Sequence, residues 1–160
     1  MPLFETVRRL RDILARRDTL ALGDFAVLKT DLAGVDVRPA LRPLLEPVRG
    51  WLPPIDLDAL AALPPNTFGH AYARFMRANG LAPFTVTDAI DPAMRRRNAF
   101  GIRYATTHDM FHVLLDYGAS WPGEMGVLAF AIGQGYTRSQ LLGGVLAWLI
   151  YPFRCRFALG

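Results

Sequence analysis

The sequence predicts an all-α protein, a multi-helix bundle that folds as a single domain over residues 1–160. Apolar residues recur at three- and four-residue spacing through long stretches, and residues that favour helix N-caps precede these stretches. Only residues 84–87, Phe-Thr-Val-Thr, have a β-like composition, and this stretch is too short to found a sheet. A chain of 160 residues is one domain by length and can bury a substantial core.

The first third of the chain predicts two helices followed by an irregular connector. Residues 2–17 predict an amphipathic basic helix, and a second helix ends at Gly34. Prolines recur so often between residues 35 and 54 that only short helical turns fit there, around residues 41–48. The connector still needs burial because its leucines, its valines and Trp51 are apolar.

The rest of the chain predicts a series of helices separated by turns. The last of them, over residues 140–153, carries an apolar run that is too short to cross roughly 30 Å of hydrocarbon. A capping residue or a residue next to a proline marks most helix starts. The predicted starts are, in order, Asp56, Asn66 or Thr67, Asp88 or Asp91, Ser120 or Trp121, and Gln140.

Composition limits the classes of partner. The net charge of +4 comes almost wholly from arginine, since Lys29 is the only lysine, and the basic residues do not alternate with aromatic residues as in nucleic-acid-binding motifs. We therefore expect no nucleic acid and favour an anionic membrane surface as the partner. Hydrophobic residues make up 52% of the chain, so either the interior is large or some apolar surface meets lipid or a partner. Cys155, the single cysteine, excludes an intrachain disulfide.

One apolar helix carries a polar stripe. His108, Asp109, His112 and Asp116 fall within a sector about 100° wide, whereas Met110, Phe111 and Leu114 lie on the opposite side. Two histidines four residues apart can present two nitrogens to one divalent metal, and the aspartate adds an oxygen. Glu124, in the first turn of the next helix, would face this pair across a helix-loop-helix hairpin.

The spacing of these residues also resembles a known signature. His108-Asp109-x-x-His112, followed after eleven residues by Glu124, resembles the motif of the coenzyme Q (ubiquinone) biosynthesis protein four family, in the form of a bacterial-type short member. The segment Leu63 to Phe75 is similar to that family's Leu-Pro-x-x-Thr-x-Gly-x-x-Tyr stretch, and Arg103-Tyr-Ala-Thr-Thr leads into the motif in a similar way. The resemblance is clearest over residues 57–134.

The resemblance implies an all-helical protein that binds a divalent metal beside a pocket for an isoprenoid tail. It implies prenylated benzoquinone precursors as substrates, other ubiquinone-biosynthesis proteins as partners, and a position on the inner membrane, either bacterial and facing the cytoplasm or mitochondrial. The implied activity is oxidative decarboxylation at ring carbon C1, and the implied alternative is a non-catalytic organiser of the other enzymes. The implied metal ligands and catalytic residues are His108, Asp109, His112 and Glu124, and the candidate substrate-binding residues are Thr67, Gly69, Tyr72 and Arg103.

Several alternatives stay open at this point. The ligand types suit Zn, Fe, Mn or Co without choosing among them, and a homodimer is one candidate assembly. Asp116 is an acceptor that supports the metal site, an alternative metal ligand or a solvated residue at the helix end. The histidines could instead be core residues bonded to carboxylates. The motif is not that of a His-Glu-x-x-His protease, whereas the adjacent His-Asp pair raises a metal-dependent phosphohydrolase as a third class.

Overall fold

A computed structural model describes residues 3–16, 22–34 and 37–150 of the chain. No β-strand forms within these ranges, not even at residues 84–87, so the predicted all-α class is confirmed. Two 3₁₀ turns, Pro39–Leu41 and Glu46–Val48, flank one short helix of the connector. The α-helices are α1 (Leu3–Arg16), α2 (Leu22–Leu32), α3 (Arg42–Leu45), α4 (Leu57–Ala61), α5 (Phe68–Ala78), α6 (Pro92–Arg97), α7 (Ala99–Leu115), α8 (Trp121–Gln134) and α9 (Arg138–Ile150).

Capping residues begin several of these helices where the sequence predicts. The Asp56 carboxylate accepts hydrogen bonds from two backbone N–H groups of α4, the Thr67 hydroxyl accepts one from His70, and Asp91 accepts one from Ala93. Gly80 follows α5 with a φ of 63°, a left-handed conformation that glycine adopts without steric cost. These local signals explain why the helix boundaries were predictable.

The described residues form two compact units. The first comprises residues in 1–53 and 84–106, and the second comprises residues in 54–83 and 107–160. Helix α7 contributes to both. The assignment of the whole chain to one domain stays a prediction.

The first unit is built around an apolar cluster that contains Val27, Leu28, Ile90, Met94 and Ile102, all of which are buried. Burial of such side chains stabilises each by about 1.5–3 kcal/mol relative to exposure.

A buried carboxylate ties helix α2 to the extended segment that follows Phe84. Asp24 is only 3% exposed, and it accepts hydrogen bonds from the backbone N–H of Thr87 at 2.8 Å and from the Thr87 hydroxyl at 2.6 Å. Gly23 permits this approach, because a Cβ at that position would lie 1.5 Å from the carbonyl oxygen of Thr85. The segment therefore bonds to a helix and does not pair as a strand.

In the second unit, α4 packs on α5 and α8 packs on α9. Gly69 lets α5 approach α4 closely, since a Cβ there would lie 2.7 Å from Leu63 Cδ1 and 3.0 Å from Leu60 Cδ2. Nδ1 of His70 lies 3.0 Å from the carbonyl oxygen of Ala61, which ties the two helices together. Within the described ranges, none of the helices combines the length and the apolar character that a membrane span requires.

We expect the hydrogen bonds between Asp24 and Thr87 to contribute measurably to the free energy of unfolding. Replacing Asp24 with alanine leaves the Thr87 N–H without its acceptor, and we expect the free energy of unfolding to fall by about 1–3 kcal/mol in chemical denaturation. Asp88→Ala is the matched control, because Asp88 is fully exposed and its ion pair with Arg95 spans 3.6 Å. Equal losses in the two variants would contradict the proposed importance of the Asp24 contact.

Candidate metal centre

Two consecutive helices supply the predicted ligands. His108 and His112 are one turn apart on α7, so their side chains project from the same face. The short loop of residues 116–120 leads into α8, whose first turn contains Glu124. The positive end of the α8 dipole favours a carboxylate at that place.

The three side chains converge. His108 Nε2 lies 3.3 Å from Glu124 Oε2, and His112 Nε2 lies 3.4 Å from Glu124 Oε1, so each carboxylate oxygen faces one imidazole. One ligand atom from each of the three residues can be chosen such that all lie within 4.8 Å of one another. His112 is 1% exposed, and its Nε2 is within ion-pair distance of Glu124 without making a hydrogen bond.

The other nitrogen of each ring is bonded away from the cluster. His108 Nδ1 lies 3.3 Å from Asp109 Oδ1, and His112 Nδ1 lies 3.2 Å from the carbonyl oxygen of Tyr117. The Phe75 ring stacks on His112 with centroids 5.6 Å apart and planes 19° from parallel. Such contacts orient metal-binding histidines in proteins, because the bond at one nitrogen fixes where the other points.

Electrostatics favours a charged cluster in the metal-free protein. Burial alone lowers the pKa of His108, but hydrogen bonds and negative charge from Asp109 and Glu124 outweigh it and raise that pKa to about 9. The His108 hydrogen bond lowers the pKa of the Glu124 carboxyl, against the opposing effect of burial. Burial and the charge of Asp109 raise the pKa of Tyr72 to about 12, so its phenol stays protonated at physiological pH.

These residues fit a divalent metal. Two imidazole nitrogens and a carboxylate suit Zn, Fe, Mn or Co, and three protein ligands leave a coordination position for substrate or water, as in catalytic sites. The buried Nε2 of His112 has no hydrogen bond, which is costly for a polar atom unless another partner is supplied. Two observations therefore support a metal here, the ligand types of His108, His112 and Glu124 and the absence of a hydrogen bond at Nε2 of His112.

The other predicted polar residues of the motif lie around this cluster. Asp109 faces Nδ1 of His108 and is not among the three residues whose ligand atoms converge. Its role as a metal ligand and catalytic residue stays a prediction. Asp116 is exposed at the end of α7 and has a φ of 56°, in the left-handed region.

The predicted substrate-binding residues lie in two places. Tyr72 is buried on α5, and it lies close enough to Asp109 that the negative charge of Asp109 raises its pKa. Thr67 caps α5, and Gly69 contacts α4. Arg103 belongs to the first unit, where its guanidinium lies 5.1 Å from the centroid of the Trp51 ring. Roles of these four residues toward a substrate stay predictions.

Sequence reasoning missed two groups that contact His112. Phe75 belongs to the segment that resembles the family pattern, yet no spacing rule brings it to α7. The Tyr117 contact is made by a backbone carbonyl, which carries no signal in residue type. Both contacts depend on how the elements of the second unit pack.

An apolar groove runs along α8 and α9, starting one residue after Glu124. Its volume is about 430 Å³, within the range of ligand pockets. Helix α8 and helix α9 each line one side of it, with Met125, Leu128, Ala129 and Ile132 on the first and Leu141, Gly144, Val145 and Trp148 on the second. Its lining suits a hydrocarbon chain.

The raised pKa of His108 predicts how metal binding depends on pH. A histidine must lose its proton to bind a metal, and in the metal-free protein His108 keeps that proton up to about pH 9 instead of its ordinary 6.5. We expect binding at about pH 7.5 to release about one proton per metal from this residue, and the affinity to rise as pH increases toward 9. Calorimetry in buffers of different ionisation enthalpy measures the release, and binding without it would contradict this prediction.

The part of the chain that contains the motif is similar to known proteins. The sequence pattern of the family described as coenzyme Q (ubiquinone) biosynthesis protein Coq4 matches residues 53–156. The mitochondrial ubiquinone biosynthesis protein COQ4 of Eremothecium gossypii is 34% identical over 110 residues, which are 66% of this chain and 32% of that protein. The mitochondrial COQ4 homolog of Danio rerio is 32% identical over 103 residues, 64% of this chain and 38% of that protein. This chain thus spans about a third of the length of these relatives.

A solved structure has a similar fold. The crystal structure of a candidate ubiquinone biosynthesis protein from Nostoc punctiforme PCC 73102 aligns with a TM-score of 0.58 and 25% sequence identity, covering 98% of this chain and 77% of that chain. The family pattern extends on both sides of residues 57–134, the stretch over which the sequence resemblance is clearest, and it includes all the converging ligand residues. The chain belongs to the coenzyme Q (ubiquinone) biosynthesis protein Coq4 family.

Proposed function

We propose that the protein acts in ubiquinone biosynthesis by oxidative decarboxylation of a prenylated precursor at ring carbon C1. The observation that carries this proposal is that α8 contributes to two features. Its Glu124 belongs to the polar cluster with His108 and His112 of α7, and its residues from Met125 to Ile132 line the apolar groove. A prenylated hydroxybenzoate has the same two parts, a polar ring and a hydrocarbon tail. The similarity to ubiquinone biosynthesis proteins supports this class of substrate.

In this proposal the groove binds the isoprenoid tail. The groove is lined by aliphatic residues and Trp148, so an unsaturated hydrocarbon loses no hydrogen bonds on entering it. The ring of the same ligand would then have to reach the His-Glu cluster at the first turn of α8.

The residues around the aromatic ring of the bound substrate have different roles. A divalent metal held by His108, His112 and Glu124 supplies a Lewis acid for an oxygen of the ring or of its carboxylate. Asp109 holds the His108 ring in orientation, and Tyr72, protonated because its pKa is about 12, can donate a hydrogen bond but cannot act as a base. In the net reaction the bond from C1 to the carboxyl carbon breaks and carbon dioxide leaves, a hydroxyl group from water is bonded to C1 in its place, and dioxygen accepts two electrons and two protons to become hydrogen peroxide.

A second candidate is a non-catalytic organiser that presents prenylated intermediates to partner enzymes. The exposed leucines of α9 that do not line the groove favour it, because a lipid carrier needs apolar surface for partners or membrane. These residues are Leu142, Leu146 and Leu149. Here the metal would be structural.

We also propose that the protein works at the surface of the bacterial or mitochondrial inner membrane, together with other ubiquinone-biosynthesis proteins. Helix α1 supports a membrane surface as partner, since Phe4 is 81% exposed and Val7 is 48% exposed beside the exposed Arg8 and Arg11. A face that combines apolar and basic side chains suits anionic lipid headgroups.

Glu124→Gln separates the catalytic from the structural role of the metal. The amide keeps the size of the side chain but loses the charge, so we expect metal content to fall from about one per chain and decarboxylation to drop by about 100-fold or more, with the helical fold retained. Elemental analysis of untagged protein and carbon dioxide release from a prenylated hydroxybenzoate measure the two effects. Glu46→Gln is the matched control, because Glu46 is exposed and its carboxylate accepts hydrogen bonds from Arg49.

The outcomes discriminate among the functions. Wild-type protein that binds metal but never releases carbon dioxide would contradict catalysis. A Glu124→Gln variant that melts at a lower temperature and still binds the lipid would favour the organiser. Phosphate release from phosphomonoesters in the presence of Zn, Fe, Mn or Co would favour the phosphohydrolase.

Filling the groove tests where the tail binds. Ala129 is an exposed residue of the groove lining, and Ala129→Trp would occupy the space of the tail, so we expect affinity for a prenylated hydroxybenzoate to fall about tenfold, or about 1.4 kcal/mol. Leu142→Trp adds the same side chain outside the groove and should leave affinity unchanged. Equilibrium dialysis measures both, and equal affinities in the two variants would place the tail elsewhere.

A further inference from the structure

Tyr117, in the loop that follows α7, contacts His112 through both its backbone N–H and its backbone carbonyl. The Tyr117 N–H donates to the carbonyl of His112 at 2.9 Å, and the Tyr117 carbonyl lies 3.2 Å from Nδ1 of the same histidine. The first bond closes the helix, whereas the second reaches the side chain. Asp116, between the helix and Tyr117, has a φ of 56°, and this left-handed turn is what brings Tyr117 back toward His112.

This geometry selects one form of the His112 ring. A carbonyl oxygen can only accept a hydrogen bond, so Nδ1 must carry the proton. In the neutral ring, Nε2 then has a free lone pair, and it is this buried nitrogen that lies 3.4 Å from Glu124 without a hydrogen bond. The atom on which a metal depends is thus made available by a backbone group outside the motif.

Two glycines of α8 hold the loop in place. A Cβ at Gly126 would lie 2.7 Å from Cε2 and 2.8 Å from Cζ of Tyr117, so the tyrosine ring rests directly on the helix. A Cβ at Gly123 would lie 1.7 Å from the carbonyl oxygen of Gly118. The two glycines are three residues apart, so they lie close together on α8, and Glu124 lies between them in the sequence. The contact that holds Tyr117 on His112 therefore also holds Glu124 opposite the histidines.

We propose that Tyr117 is a positioning residue whose backbone carbonyl fixes His112 as the Nδ1–H tautomer, and that Asp116 and Gly126 act through it. This inference deepens the proposed function and rests on it for its purpose, which is to prepare Nε2 for a divalent metal. Asp116 then serves through its backbone conformation, and its carboxylate takes no direct part.

Matched pairs of variants test each contact. Asp116→Gly keeps the left-handed turn, whereas Asp116→Val resists it because a β-branched residue is strained at positive φ. Gly126→Ala displaces the Tyr117 ring, whereas Gly133→Ala is the control on the same helix, because a Cβ at Gly133 meets nothing within 4 Å. Circular dichroism and thermal unfolding identify any variant that fails to fold.

The first readout is independent of metal. Nitrogen-15 NMR of the His112 ring in protein freed of metal, recorded where the ring signals no longer change as pH rises, reports which nitrogen carries the proton. We expect Nδ1–H in the wild type and in the Asp116→Gly and Gly133→Ala variants, and a mixture of tautomers in the Asp116→Val and Gly126→Ala variants. A wild-type ring protonated at Nε2, or no difference between the paired variants, would overturn the inference.

The second readout is binding of Co²⁺ alone, followed by its visible absorption. We expect Asp116→Val and Gly126→Ala to bind Co²⁺ about 10- to 100-fold more weakly than their controls, which is the usual effect of removing a group that orients a metal-bound histidine. Unchanged affinity in both would overturn the positioning role. If the wild type shows the Nδ1–H ring but binds no Co²⁺, the tautomer assignment is supported and the metal centre of the proposed function is overturned.

Discussion

The centre of the second unit depends on one carboxylate that faces two imidazoles. His108 and His112 are one turn apart and at least half buried, so any positive charge there needs a nearby negative group. Each carboxylate oxygen of Glu124 lies within ion-pair distance of one of the two rings, and Glu124 belongs to the next helix along the chain. The connection between α7 and α8 must therefore be short and fixed in position. The loop of residues 116–120 is such a connection.

This constraint explains the glycines near the site. Glycine would weaken an ordinary helix by about 1 kcal/mol relative to alanine, yet Gly123 and Gly126 lie within α8. The carbonyl oxygen of Gly118 approaches Gly123, and the ring of Tyr117 approaches Gly126, so closely that a Cβ at either glycine would clash. The cost in helix stability is offset by a loop that presents its carbonyl to His112. Residues outside the motif thus decide the geometry of the residues within it.

Helix α8 connects the polar cluster to the apolar groove. Its first turn holds Glu124, and from Met125 to Ile132 it lines a groove whose opposite side is α9. A ligand with a polar ring and a hydrocarbon tail would contact both parts of one helix. This arrangement supports the proposed prenylated aromatic acid, because the two parts of such a ligand match the two parts of the helix.

Local chemistry in the sequence determined much of this protein. Capping by Asp56, Thr67 and Asp91 and the four-residue spacing of His108 and His112 made the helices and these two candidate ligands predictable, because such signals act over three to five residues or along one helix face. Glu124 lies on the next helix, and the resemblance to the family motif identified it as a candidate. Tertiary structure alone decided that Phe75 stacks on His112 and that the backbone carbonyl of Tyr117 reaches the same ring. Those contacts join segments by packing and through backbone carbonyls, and neither leaves a trace in residue spacing.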